Sequence, residues 1–507
     1  MNDLTGKRSL LLGIDCGSTV TKAVLFDGTG NTLGTGAIRT PHSTPRPQWV
    51  ERDMDAMWRD CASAIRQALR TAHAVGSDVA AVGVTGHGDG LYLLAADGRP
   101  VRPAVLSTDS RSVHTIEDLS AVGRMAEILR LTGQVPFPGS TAALLAWTSR
   151  HEPQNIDRSR YVIASKDWIK FCLTGIVSTD PTDSSSIGTD VRTQQYSSAA
   201  FELLGCPATA DRVPPVVGST EIAGRITKSA ADLTGLAEGT PVVSGLHDID
   251  ACAVGTGSFR SRQLTLIAGS YSINETILDE PRLDARWACR NFVQPGTWMH
   301  CSSSPASTSN LEWFASEIVC GGESELRDGV FDEIEQEVER ALERPREVCF
   351  LPFLFGSPIS NEASGAFVGL RGWHKRGDLA RAVYEGVVLN HVWHVRALES
   401  VCSFAEARLT GGGSKSALWS QMFADAIGVP VSVTNASETG ALGAAICAGI
   451  GVGRYRDFDQ ATADLVRVRR TYQPTAVGKA SFAEAEAMYV AATGALGAYW
   501  SAGRSTS

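Results

Sequence analysis

The sequence predicts an α/β protein of two similar domains. Three observations lead there. The chain has 507 residues, too many for one hydrophobic core. Near its start an apolar run, Leu10-Leu11-Leu12, enters a turn of small polar residues that extends to Lys22, and a second apolar run, Ala23-Val24-Leu25-Phe26, leaves it. Half a chain later the arrangement returns: residues 263–268 read as a strand, Gly269-Ser270-Tyr271-Ser272 as a small polar turn, and 273–278 as the returning strand. A chance repeat of a common hairpin is the other reading of this recurrence.

The opening turn carries the chemistry. Asp, Gly, Ser and Thr in a tight turn leave several backbone N–H groups directed at one point, which is how a loop cradles a phosphate. Asp15, at the strand end, is placed to hold a magnesium ion, which binds through a carboxylate, waters and phosphate oxygens. The same residues would also satisfy an ordinary hairpin.

Asp27-Gly28-Thr29-Gly30-Asn31 is a second turn and 32–38 a third strand, so the chain begins as an antiparallel meander. Residues 53–72 carry helical spacing in Met57, Ala64, Ile65 and Leu69, with Asp53 as N-cap. Residues 79–84 form a buried strand that ends in Thr85-Gly86-His87-Gly88-Asp89-Gly90. Asp89-Gly90 is a hairpin signal; alternatively the Asp89 carboxylate accepts hydrogen bonds from a hydroxylated ligand, and His87 faces the same choice. A further strand, 103–106, runs into Ser107-Thr108-Asp109-Ser110-Arg111, a polar cluster where α/β folds keep ligand contacts.

Helical segments alternate with loops over 112–236, including an aromatic-containing helix at 167–173. Then comes Ser244-Gly245-Leu246-His247-Asp248-Ile249-Asp250-Ala251, in which Asp248 opens an Ala-rich helix. A carboxylate held on a rigid helix suits a general base; it also suits a plain N-cap. Residues 378–396 form a long helix whose apolar side serves either the core or a homodimer interface. Gly411-Gly412-Gly413 lets a ligand lie on the backbone, and the helix after it, 417–427, stops at Gly428 with Pro430 beyond. Residues 438–445 make a helix of small residues suited to close packing on another backbone, and the polar tail from Ser501 is expected to be disordered.

Composition narrows the classes. Charged residues are 20% and apolar ones 43%, a soluble globular profile, and the net charge of -9 contains no basic block, so a nucleic-acid surface is not indicated. The eleven cysteines include no C-x-x-C pair and are odd in number, which favours a reducing, cytoplasmic setting. Residues 1–8 are polar with no signal-peptide core, and no apolar run approaches the ~20 residues of a membrane span.

Together the motifs resemble the FGGY carbohydrate kinases. Five pieces in order carry the likeness: residues 15–22, 107–111, 245–255, 269–272 and 411–449. A sixth, Gly365-Ala366-Phe367-Val368-Gly369-Leu370 followed after seven residues by Asp378-Leu379-Ala380-Arg381-Ala382-Val383-Tyr384-Glu385, is similar to the family's C-terminal signature. Residues 90–94 and 304–314 look most like L-xylulose kinases, while Gly88-Asp89-Gly90 is similar to erythritol kinases. The resemblance implies two actin-like ATPase (ribonuclease H-like) domains around a central cleft, an N-terminal one over 1–256 and a C-terminal one over 257–507. It implies ATP and Mg2+, a small sugar or polyol as acceptor, Asp248 as catalytic base and metal contact, and Asp15 as metal ligand. Ser18, Thr19 and Lys22 would line the first phosphate loop, Gly269 and Ser270 the second. Gly412, Gly413 and Ala417 would line the adenosine site, and Gly88, Asp89 and Asp109 would contact the acceptor. The chain departs from the pattern at Ser107, where many relatives have Trp, at Asp89, where they have His or Glu, and at Ala417, where Asn is frequent. An actin-like ATP switch or an inactive sugar-binding regulator are the competing classes.

Overall fold

The opening meander forms as its sequence predicts. In a computed structural model, which describes residues 9–322, 326–360 and 362–502, β1 (Leu10–Cys16), β2 (Val20–Phe26) and β3 (Thr32–Arg39) pair antiparallel in order, with Asp15 opposite Lys22. Helix α1 (Met54–Thr71) starts where Asp53 accepts the Ala56 N–H at 2.8 Å. It lies directly on β3: a Cβ on Gly36 would stand 1.9 Å from the Ala64 carbonyl oxygen, so only glycine permits this approach.

Three further strands complete the first sheet: β4 (Val79–Gly86), β5 (Ile222–Arg225) and β6 (Pro241–Val243), with the short β7 (Leu246–His247) paired to the end of β4. The order is β5-β6-β4-β1-β2-β3, parallel across β1, β4 and β6. Asp89 and Gly90 have φ of +59 and +78, the left-handed backbone that Asp-Gly favours. They do not join a hairpin. The strand Tyr92–Leu94 pairs with Tyr161–Ile163, so the turn carries the chain away from β4 into a second cluster of apolar side chains around Leu91, Leu93 and Leu145.

Helix α2 (Asp248–Thr256) follows β7, and the helix Thr439–Gly451 packs on it. The small-residue pattern explains how closely. A Cβ on Gly443 would fall 2.0 Å from the Ala251 carbonyl oxygen and one on Gly255 1.9 Å from that of Thr439. On the sheet side, Gly13 and Gly83 would each meet a carbonyl of the same helix, Ala441 or Ala444, at 1.9 Å. The seam is glycine against backbone on both faces.

By compactness the chain divides into two units, the first holding the chain up to Phe259 together with Ile277–His300 and Glu438–Arg467. The second unit is built on β8 (Gln263–Ala268), β9 (Ser272–Leu278), β10 (Glu406–Thr410), β11 (Val431–Thr434) and β12 (Val468–Tyr472), ordered β9-β8-β10-β11-β12. β8 runs antiparallel to β9 and parallel to β10, as β1 does to β2 and β4, so the recurrence in the sequence is a recurrence of topology. The long helix Arg376–Glu399 is buried along most of its length, so its apolar side is core of this unit. Of the tail expected from Ser501, two residues end the last helix and 503–507 lie outside the described residues. Among the described residues no helix is long and apolar enough to cross a membrane.

Candidate active site

Register brings the first-unit candidates together. Asp15 sits opposite Thr85, and His247 opposite Gly86, so the carboxyl ends of β1, β4 and β7 finish at one edge of the sheet. That edge is where parallel sheets present ligand contacts. Asp248 follows at once as the first residue of α2. It is not the N-cap: His247 occupies that position, and Asp248 Oδ1 accepts the neighbouring Ile249 N–H at 2.8 Å. The carboxylate is therefore held on the helix without being consumed by it.

Charge is concentrated here. Burial, and then the negative charge of Asp248, push the Asp15 carboxyl up to about 7, against the lowering effect of Lys22. Lys22 itself pairs with Glu438 at 2.6 Å. Burial also raises Asp248, opposed by His247 and assisted by Asp183 and Asp89. Burial alone would lower His247, but Asp183, bonded to Nδ1 at 2.8 Å, and Asp248, 3.3 Å from Nε2, raise it to about 9. The imidazolium thus braces Asp248 from behind. Behind Asp183 in turn stands Lys166, fully buried, with Nζ 2.7 Å from Asp167, 3.0 Å from Asp180 and 3.1 Å from Asp183. Gly88 closes the other side of the ring, since a Cβ there would lie 1.8 Å from His247 Cε1.

Of the remaining sequence candidates in this unit, Asp89 joins the site and Asp109 stands apart. Asp89 Oδ2 accepts Arg290 Nη2 at 2.9 Å, while its Oδ1 is buried without a hydrogen-bond partner. Asp109 is 1% exposed and its oxygens are filled: Oδ1 accepts the Arg111 N–H and Nε, each at 2.9 Å, and Oδ2 accepts the Val50 N–H at 2.6 Å and Arg111 Nη2 at 2.7 Å. His87 is a buried neutral link, Nδ1 donating to the Cys16 carbonyl at 3.0 Å and Nε2 accepting from the Tyr92 hydroxyl at 2.7 Å; burial takes it down to about 4. Ser18 and Thr19 form the turn between β1 and β2, Ser18 half-buried and Thr19 exposed.

Within the second unit, the other candidates meet at the carboxyl ends of β8 and β10, where Ile267 pairs with Thr410. Gly411, at φ +85, turns the chain against the Ala268 carbonyl, and a Cβ on Gly413 would stand 2.8 Å from that of Ala268. Nothing stands within 4 Å of a Cβ built on Gly269, and the Gly412 position is nearly as open. Ser416 caps the next helix through the Trp419 N–H at 2.9 Å, which makes Ala417 its first residue.

The whole chain is similar to known sugar kinases. Models of the FGGY family of carbohydrate kinases match it twice, the N-terminal domain over residues 10–255 and the C-terminal domain over 264–452. The chain belongs to the FGGY family of carbohydrate kinases. An L-xylulose/3-keto-L-gulonate kinase of Escherichia coli (strain K12) is 33% identical, covering 91% of this chain and 92% of its own. An erythritol kinase of Brucella abortus (strain 2308) is 27% identical over 92% of each. The solved xylulose kinase from Rhodospirillum rubrum shares 26% identity and superposes with a TM-score of 0.85 over 97% of this chain and 99% of its own. The fold is the two-domain FGGY kinase fold, of the actin-like ATPase type, and the enzyme is a phosphotransferase acting on carbohydrate.

Sequence reasoning missed Arg290, Gln134, Asp183 and Lys166 in this FGGY kinase. None lies in a motif. His247 was in view, beside Asp248, but without a role.

One consequence is measurable in the apo kinase. A carboxyl raised from 3.8 to about 7 favours folding while protonated, so its stabilising contribution is complete near pH 4 and is lost as pH rises through 7. Asp15→Asn should remove that component and exceed wild type at pH 8 by about 1 kcal/mol, solvent screening having reduced the larger nominal shift. Thermal unfolding of both proteins in EDTA between pH 5 and 8 checks it; parallel profiles would refute the raised carboxyl.

Proposed function

We propose that this FGGY kinase transfers the γ-phosphoryl group of ATP to a hydroxyl of a ketopentose resembling L-xylulose, as a step of carbohydrate catabolism. The observation that carries the reading is the Asp248 carboxylate, fixed at the start of a rigid helix, next to Asp15 and braced by His247. The name of the E. coli relative supports the choice of acceptor.

In this reading Asp248 accepts the proton of the attacking hydroxyl and aligns its oxygen with the γ-phosphorus. Phosphoryl transfer passes through a loose transition state, so positioning and charge neutralisation do most of the catalysis. Asp15 and Asp248 would hold a magnesium ion: a carboxylate pair leaves places for phosphate oxygens and water, and the repulsion that adds to burial in raising Asp15 is what a divalent cation relieves. The ion would neutralise the phosphates. Ser18, Thr19 and Lys22 would follow the first phosphate loop, where Lys22 exchanges part of its contact with Glu438 for a phosphate oxygen. Gly269 and Ser270 would form the second loop, the open space over Gly269 admitting a phosphate to the backbone. Gly412, Gly413 and Ala417 would line the adenosine.

Gly88 and Asp89 would meet the acceptor. Asp109, with its oxygens filled, would act on the acceptor by ordering Arg111 and the Val50 segment. Residues 1–256, with 277–300 and 438–467 packed in the same unit, would serve the acceptor and first phosphate loop, and the rest of 257–507 the nucleotide. None of the eleven cysteines, all among the described residues, is in a disulfide, which supports a cytoplasmic setting.

A tetritol such as erythritol is the second reading, favoured by Gly88-Asp89-Gly90 and the Brucella relative. The test is ADP release with magnesium and ATP across pentuloses, pentitols and tetritols. An L-ketopentose giving the highest kcat/KM supports the proposal, a tetritol supports the second reading, and ATP turnover indifferent to every acceptor would sink both.

A further inference from the structure

Arg290 reaches the site from residues 277–300, far along the chain from its partners. Its side chain is 8% exposed and its guanidinium meets three neighbours. Nε donates to Gln134 Oε1 at 2.8 Å, Nη2 donates to Asp89 Oδ2 at 2.9 Å, and Nη1 stands 3.3 Å from His247 Nε2. Gln134 is fixed in turn, its Nε2 donating to the Ser185 carbonyl at 2.7 Å. The clamp leaves one group unused. Asp89 Oδ1 is buried and accepts no hydrogen bond, an unfavourable state unless a ligand donor meets it. Its charge reaches Asp248, so this oxygen lies within electrostatic range of the proposed base.

We infer that Arg290 is a positioning residue that sets acceptor class: by holding Asp89 Oδ2 it presents Oδ1 alone to a hydroxyl, so the kinase selects neutral polyhydroxy acceptors and rejects sugar acids. The inference rests on the reading of Asp89 as an acceptor contact beside Asp248. A carboxylate cannot donate to Asp89 and is repelled by it, and the guanidinium edge that would attract one is already engaged through Nε with Gln134 and Nη2 with Asp89. A hydroxyl donates to Oδ1 without penalty. Rejection by an unmatched polar group is a strong form of discrimination.

The test compares kcat and KM for the best neutral ketose or polyol with those for 3-keto-L-gulonate, in wild type, Arg290→Gln, Arg290→Lys and Asp89→Asn. Wild type should favour the neutral acceptor by about 100-fold or more in kcat/KM. Arg290→Gln should raise the neutral acceptor's KM about tenfold while changing kcat less and leaving the KM for ATP in place, and Arg290→Lys should recover part of the loss. Asp89→Asn leaves Arg290 uncompensated and should shift the acid-to-neutral ratio about tenfold towards the acid. That arm stands even if the Arg290 variants fail to fold. A wild type that uses the acid equally well, or an unmoved ratio in Asp89→Asn, would overturn the inference. Asp248→Asn separates it from the underlying reading: full activity there removes the base, whereas an inactive Asp248→Asn with unchanged acceptor KM in Arg290→Gln removes only the clamp.

Discussion

Asp248→Asn is expected to slow acceptor-dependent ADP formation by about 10³-fold while keeping ATP affinity within about threefold of wild type. The substitution preserves shape and the helix start, because Asn can still accept the Ile249 N–H, but it cannot take a proton from a hydroxyl. It also removes the negative charge that adds to burial in raising Asp15, so Asp15 should fall part of the way towards its ordinary value. Nucleotide contacts assigned to the second unit are untouched. Single-turnover kinetics with a nucleotide-binding titration on the same preparation checks both halves of the expectation. A near-normal rate would show that proton removal needs no base, or that it lies elsewhere.

The largest loss of stability is expected from Lys166→Met. Lys166 is fully buried against three carboxylates, and the neighbouring ammonium of Lys170 touches only Asp167 among them, at 3.1 Å. Taking away one member of a buried ionic cluster strands the others in a medium that solvates them poorly, which costs about 3–5 kcal/mol. Asp183 would feel it first, since burial works to raise its carboxyl and Lys166 is the main charge that holds it low. Urea unfolding should report the loss directly, and any folded fraction should turn over poorly because Asp183 no longer fixes His247. Wild-type stability would mean that the aspartates share protons rather than relying on the lysine.

Features whose cause is local were legible in the sequence. The β1–β2 turn, the Asp53 cap, the Gly428 stop and the small-residue helix are each set by neighbours within a few residues, and each formed where expected. Asp89-Gly90 adopted its left-handed turn but not the hairpin that usually follows, because the strand Tyr92–Leu94 found a better partner in Tyr161–Ile163. Asp248 was recognisable as an acid opening a helix, yet only the structure separates it from a cap, since that depends on which residue has the extended backbone. Arg290 could not be read at all. Its partner Asp89 is 201 residues away, and nothing around Ala288–Asn291 marks the strand as part of a site. Lys166 and Lys170 lie in a helix that looks ordinarily amphipathic, because two of their counter-charges, Asp180 and Asp183, and the Ser244 carbonyl that accepts from Lys170 come from outside it.

The glycine seam beneath the helix Thr439–Gly451 bears on how the protein is made. The backbone of β1 and β4 is shaped to receive a segment that the ribosome supplies only after some 350 further residues have been added to Gly86. At about 5–20 residues per second, that bare face waits roughly 20 to 70 seconds for its cover. The first unit therefore lacks one of its packed helices until residues 439–451 have been made. Until the closing helix emerges, the glycines of β1 and β4 lack the backbone they are shaped to meet.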